Sequence, residues 1–155
     1  MDTVRALLDH LHTRLTGDAP LAALFPDGTV HLFPDWAEQD ADVLRPGAYT
    51  PYLVHEIDLD NAQDEAWALT TGTYMVNIWD RAANQDRALA VRARVRTLLV
   101  NYGFRTNGGE LVAARLGAPS DQAIPDTDPD VWRRELVFPL RFFDVAEVTA
   151  VNART

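Results

Sequence analysis

The chain has 155 residues, the size of one domain, with a formal charge of −9 and no cysteine. That length buries roughly two thirds of the surface an unfolded chain exposes, so a hydrophobic core suffices without disulfides. The acidic balance disfavours a nucleic-acid backbone as the primary ligand, and the lack of cysteine and lysine excludes zinc ribbons, iron–sulfur clusters, thiol nucleophiles, Walker lysines and Schiff-base chemistry.

All fourteen basic residues are arginine, a bias most simply read as GC-rich codon usage. No apolar run approaches the ~20 residues that span a bilayer. The N-terminus also lacks the basic and apolar regions of a signal peptide. The expectation is a soluble protein made inside a cell, with no membrane partner.

Asp2 to Thr16 reads as a helix, because Val4, Leu7, Leu8, Leu11 and Leu15 form one apolar stripe and Gly17 follows as a stop. Pro20 to Phe25 adds a short helical turn, broken by Pro26-Asp27-Gly28. Residues 26–50 are loop-rich, with a short strand at Thr29 to Phe33. Tyr52 to Asp60 alternates with Leu53, His55, Ile57 and Leu59 on one side. Asn61 to Glu65 is a polar turn into Ala66 to Trp79, which gives an antiparallel hairpin with Gly72 as a candidate bulge.

After Trp79 the apolar period changes from two to between three and four. Ala88, Val91, Val95, Leu98, Leu99 and Tyr102 make one stripe on a helix from about Ala83 to Tyr102, capped by Asp80 or Asn84 and ended by Gly103. Glu110 to Leu116 follows the Asn107-Gly108-Gly109 turn as a further strand. Gly117 to Pro129 has three prolines, several acids and few apolar residues, and reads as a long exposed loop within a single domain. Val131 to Val145 is a long strand with Leu136, Phe138, Leu140 and Phe142 on one face. Pro139 within it cannot donate to a ladder, which places the strand at an edge or makes it bulged there.

These elements predict an α+β sandwich: a mainly antiparallel sheet of about four strands with two helices packed on one face. If Tyr74, Val76 and Ile78 face the helices, then Met75, Asn77 and Trp79 point away, together with Val137 and Phe143. That second face is too apolar for a solvated one, so a loop or another subunit is expected to cover part of it.

No constellation for chemistry emerges. Asp58-Leu-Asp60 and Asp126-Thr-Asp128-Pro-Asp130 begin like calcium loops but lack the glycine and the closing glutamate, so both read as solvated turns. His10 and His12 lie two apart on a helix, about 200° around it, which prevents joint ligation of a metal. Ser120, the one serine, has no strand-turn-helix context, and no glycines match a dinucleotide fingerprint. His55 sits on an apolar strand face, where a satisfied core histidine is the simplest reading. The alternative is a small oligomeric enzyme or ligand-binding module that uses His55 with a carboxylate. The expectation is therefore no catalytic residue, no cofactor and no metal.

Arg87 and Arg94 flank one edge of the long helix's stripe, and Arg92 and Arg96 the other. Their stems can cover apolar surface while the guanidinium groups reach solvent or nearby acids; the sharper reading sends some across a subunit boundary to a neighbour's carboxylates. The residues expected at an assembly interface are Met75, Trp79, Arg87, Arg94, Arg141 and Phe143.

The succession ALLDHLHTRLTGDAPLAALF, TPYLVHEID, YMVNIWDRAANQDRALAVRARVRTLL and RRELVFPLRFF resembles the tail terminator or tail-completion proteins of long-tailed bacteriophages. The resemblance covers most of the chain and lies in apolar patterning. It matches Tyr74, Val76 and Ile78 to that family's central strand, Ala90, Val91, Val95 and Leu98 to its helix, and Leu136, Phe138 and Leu140 to its closing strand. The stretches from Pro34 to Tyr49 and from Gly117 to Pro129 depart from it. The resemblance implies a structural virion protein at the head-proximal end of the tail, assembled in the host cytoplasm. It further implies a ring, expected to be a hexamer, whose partners are its own copies, the tail tube protein and the head–tail connector. The acidity suits a lumen through which DNA passes without sticking.

Overall fold

The structure is a computed structural model that describes residues 3–34, 51–60, 69–106 and 112–144. Its elements in chain order are α1 (Thr3–Thr16), α2 (Ala19–Ala22), β1 (Leu32–Pro34), β2 (Tyr52–Leu59), β3 (Leu69–Arg81), α3 (Asp86–Leu99), β4 (Gly103–Arg105), β5 (Val112–Leu116), β6 (Ser120–Ile124) and β7 (Val131–Asp144). One sheet runs in the order β1-β2-β3-β7-β5-β4, and β6 also pairs with β7. β1 lies parallel to β2, whereas the other pairs are antiparallel.

This corrects the expected sandwich of about four mainly antiparallel strands and two helices. The described residues form seven strands in a mixed sheet, with three helices. Period-two alternation marks a long half-buried strand, but three residues are too few to show it, so β4 escapes and β1 falls at the end of the strand expected over Thr29 to Phe33. β6, with the sequence SDQAI, is exposed from Ser120 to Ala123, with Ile124 half-buried, and is held by its ladder to β7 more than by burial. The segment read as a loop from Gly117 to Pro129 is therefore a strand over 120–124. The turns at 61–65 and 107–109 and the stretch at 35–50 lie outside the described residues.

The core is assembled from the predicted stripes. Leu7, Leu11 and Leu15 of α1 and Val91, Val95 and Leu99 of α3 are fully buried in one cluster with Tyr74, Val76, Ile78, Leu136 and Phe138. The sheet curls around α1. From β2 to β4 a flat sheet spans four strand spacings, about 19 Å, wider than a helix of about 10–12 Å. Nevertheless the His12 ring lies 6.1 Å from His55 on β2, while His10 stacks on Phe104 of β4 at 4.4 Å. The angular separation of His10 and His12 thus lets one helix touch both β2 and β4.

Three local expectations change. β2 and β3 pair without interruption from Tyr52↔Trp79 to Leu59↔Gly72, so Gly72 is not a bulge. A Cβ there would lie 2.4 Å from the Asp58 carbonyl oxygen, and that close approach is what requires glycine. Pro139 belongs to a strand with neighbours on both sides, and the irregularity falls on the partner. β5 ends opposite Leu140, β6 begins opposite Val137, and Gly117 to Pro119 bulge between them. The amide of Gly117 donates to the Pro139 carbonyl at 2.8 Å, so the proline's missing donor faces this break in the ladder. Finally, α3 ends at Leu99 with Asn101 in the left-handed region at φ 55°, in the role expected of Gly103. At its start the Asn84 side chain accepts from the Asp86 amide at 3.0 Å, and Asp80 is engaged elsewhere.

Candidate assembly surface

Alternation along the strands sorts the sheet into two faces. The helix-side face carries Tyr74, Val76, Ile78 and Asp80 on β3; the second face carries Thr71, Thr73, Met75, Asn77 and Trp79, opposite the odd-numbered residues of β7.

On the helix side, three of the four arginines of α3, Arg87, Arg92 and Arg94, close onto carboxylates of the same chain. Arg87 forks onto Asp80, with Nε donating at 2.8 Å, and the Asp80 side chain is completely buried. Arg92 and Arg134 share Asp121 of β6. Arg94 donates through Nε and Nη2, both at 2.8 Å, to Asp18, whose Oδ2 also accepts from the Leu21 amide and so caps α2. The Arg94 hydrogen bonds hold the Asp18 carboxyl below the ordinary carboxylate range. Each pair ties α3 to a different element: β3, the β6–β7 ladder and α2. Arg87 and Arg94, both expected at an interface, thus have intrachain partners.

On the second face, Met75 and Trp79 are half-buried. Tyr52, Trp79 and Arg133 occupy one register row across β2, β3 and β7. The Tyr52 and Trp79 rings stack at 6.0 Å, and the Arg133 guanidinium lies 4.4 Å from the Trp79 ring centroid. Arg133 also donates to Asn77 Oδ1 at 3.2 Å. With Tyr52, Val54 and Asn77 buried, this end of the face is already covered in the single chain.

The other end is open. Arg141 and Phe143 lie beside each other, Phe143 is 40% exposed, and the rows Leu69–Phe143–Ala113 and Thr71–Arg141–Arg115 cross β3, β7 and β5. Leu69, Ala113, Arg115, Arg141 and Phe143 line a groove of about 400 Å³. Trp79, which pairs with Arg133, and Leu69, which pairs with Phe143, lie ten residues apart on β3, so the two ends are separated by roughly 33 Å. The six expected interface residues therefore fall into three places. Arg115, which joins Arg141 here, was not singled out from sequence, because a lone arginine in a short strand shows nothing until register puts it opposite another.

His10 and His55 are hydrogen-bonded within the fold. His55 Nδ1 meets the Tyr74 hydroxyl at 2.7 Å; burial, with a smaller contribution from His12, lowers its pKa to about 3 and keeps the ring neutral. The proximity of a carboxylate, which acid–base work would need, is not among its described contacts. His10 meets the Tyr102 hydroxyl at 2.8 Å, at a cleft of about 670 Å³ between α1 and α3 where Arg14 lies over the Tyr102 ring. Burial, then Arg14, lowers the His10 pKa. In the Asp126–Asp130 turn, Asp126 and Asp128 accept from the amides of Asp128 and Asp130 at 2.9 and 3.0 Å, and Asp128 pairs with Arg81 at 2.8 Å. These carboxylates shape the β6–β7 turn. Among the described residues no group of three or more histidines and acids is placed to hold a metal ion.

No protein-family model and no curated protein matches the sequence. Among solved structures, the chain is similar to a component of the virion of a native gene transfer agent particle. The TM-score is 0.66 at 25% identity, covering 92% of this chain and 99% of that one. A second solved chain, 17% identical, matches with a TM-score of 0.59 over 91% of this chain and 96% of its own length, a likeness of fold. The first likeness supports a structural protein of a phage-like virion.

Proposed function

We propose that this chain is a tail terminator or tail-completion subunit of a phage-like particle. In this reading its copies form a ring, taken as a hexamer, that caps the tail tube and joins it to the head connector, with DNA passing through the lumen. The observation that carries the reading is the end-to-end likeness to a virion component, which agrees with the resemblance in apolar patterning. Two features add support. The α3 helix is fixed to the sheet and to α2 by three sets of buried or half-buried ion pairs, which suits a subunit that must keep its shape in an assembly. The sheet face also leaves one corner apolar, cationic and open. The role calls for no turnover, and His55→Gln should leave assembly intact.

The test is to add the purified chain to polymerising tail-tube protein from the same particle and image the tube ends. Capped ends of uniform tube length are the expected result. Tubes that elongate without caps at every concentration of the chain would contradict the reading. A monomer in dilute solution is compatible with it, because an interface of about 800 Å² per partner can be weak until a ring closes on the tube.

A further inference from the structure

We infer that the open corner formed by Leu69, Ala113, Arg115, Arg141 and Phe143 docks the acidic β6–β7 turn, Asp126 to Asp130, of a second copy of this chain. The inference rests on the ring reading and specifies its contact.

The corner is built against the trend of the molecule. In a chain of charge −9, Arg115 and Arg141 stand directly opposite each other on β5 and β7, an arrangement that costs stability for like charges. Among the described residues neither forms an ion pair; Arg115 donates only to the Asn101 carbonyl, at 3.0 Å. The arginines of α3 that reach the sheet, by contrast, meet carboxylates. Beside the two cations lies Phe143, one of two large apolar side chains exposed among the described residues. Two adjacent guanidinium forks next to an apolar floor fit carboxylates carried on a compact, partly apolar turn.

The β6–β7 turn has the complementary chemistry. Asp126 and Asp130 are exposed and have no cation partner among the described residues, whereas Asp128 is held by Arg81. The two side-chain-to-amide hydrogen bonds and the flanking Pro125 and Pro129 fix the turn before any contact, which lowers the ordering cost of binding. Geometry then decides between self and neighbour. The turn precedes Val131 at one end of β7, and Arg141 lies ten residues along the same strand, roughly 33 Å away. One subunit cannot close this contact on itself. Joining one end to the opposite end of the next copy is a heterologous contact, the kind that generates a ring when the rotation closes.

Charge reversal on each side tests the contact. Arg115→Glu with Arg141→Glu sets acid against acid, and Asp126→Arg with Asp130→Arg sets base against base. An equimolar mixture of the two variants restores opposite charges at every alternating contact. In sedimentation velocity over a concentration series, and at tube ends, each variant alone should self-associate at least about tenfold more weakly than wild type, and the mixture should recover. Unchanged thermal melting would show that the exposed substitutions leave the fold intact.

Wild-type association with unchanged variants would overturn this contact and leave the ring reading standing, as would loss in both variants without recovery on mixing. Absence of association by wild type, in solution and on tubes, would sink both. If the arginine reversal spared self-association and abolished binding to duplex DNA, the corner would serve phosphate instead of a second copy. As a measurement independent of stability, a mixture of Arg141→Cys and Asp126→Cys chains, otherwise free of cysteine, should give on air oxidation more disulfide-linked heterodimer than either homodimer, and a statistical mixture of the three dimers would count against the contact.

Discussion

The arginines of α3 and those of the open corner are the same residue in opposite circumstances. Arg87, Arg92 and Arg94 each meet an acid outside the helix and fix its position against the sheet and α2. Arg115 and Arg141 face each other without an acid among the described residues, at the end of the sheet where Phe143 is exposed. The difference teaches that an arginine-only, acidic chain uses its cations first to lock its own elements. The two cations left unpaired among the described residues, side by side in the corner, are the basis of the proposed contact with a second copy. The second face repeats the contrast: Trp79 is enclosed by Tyr52 and Arg133 at one end, and the corner is uncovered at the other.

The helix-side face can be broken most severely at its centre. Phe138 is fully buried against Tyr74 between β3 and α3, and Phe138→Ala is expected to cost about 3–5 kcal/mol by chemical denaturation. An effect under 1 kcal/mol would move the core elsewhere.

Next comes the buried ion pair. Arg87→Met leaves the Asp80 carboxylate buried without its cation and should cost about 3 kcal/mol. The double variant Arg87→Met, Asp80→Leu should recover much of that loss. If it does not, Arg87 acts through packing.

Acid sharpens the comparison in the same face. His55 is neutral in the fold down to about pH 3 and takes a proton near 6.5 when unfolded, so between those values the unfolded state binds more protons. Stability is therefore full above about pH 6.5 and falls as pH drops, by about 1.4 kcal/mol per unit, or roughly 2 kcal/mol at pH 5 relative to pH 7. The folded pKa of His10 is lowered too, so its effect has the same sign. Subtracting the profile of His55→Gln isolates the His55 share, and parallel profiles would remove it from the account.

The smallest stability effect belongs to the corner. Arg141→Met, exposed and without an ion pair among the described residues, should change stability by no more than about 0.5 kcal/mol while still weakening association. A large loss of stability there would erase the distinction between the two sets of arginines.

The residues that dominate the core were legible in sequence because their spacing is dictated by burial. The stripes Leu7–Leu11–Leu15 and Val91–Val95–Leu99 and the alternation through Tyr74, Val76 and Ile78 appear as read. What escaped depends on pairing between distant segments. β6 has no apolar alternation because its neighbour β7, not a core, holds it in place. The proline in β7 is tolerated because the bulge lies on the partner strand, which no local pattern reveals. For the same reason Arg115 became visible only when register set it opposite Arg141, and Arg87 and Arg94 could not be assigned to intrachain acids before Asp80 and Asp18 were placed. The arginine spacing pointed to a role for these side chains, and tertiary structure decided which role.

The most direct test of the proposed role is the position of the chain in the intact particle, read by immunogold labelling of virions with antibodies raised against the purified protein. The account predicts label confined to the junction between head and tail. Label spread along the tail, at its distal tip or over the capsid surface would contradict it.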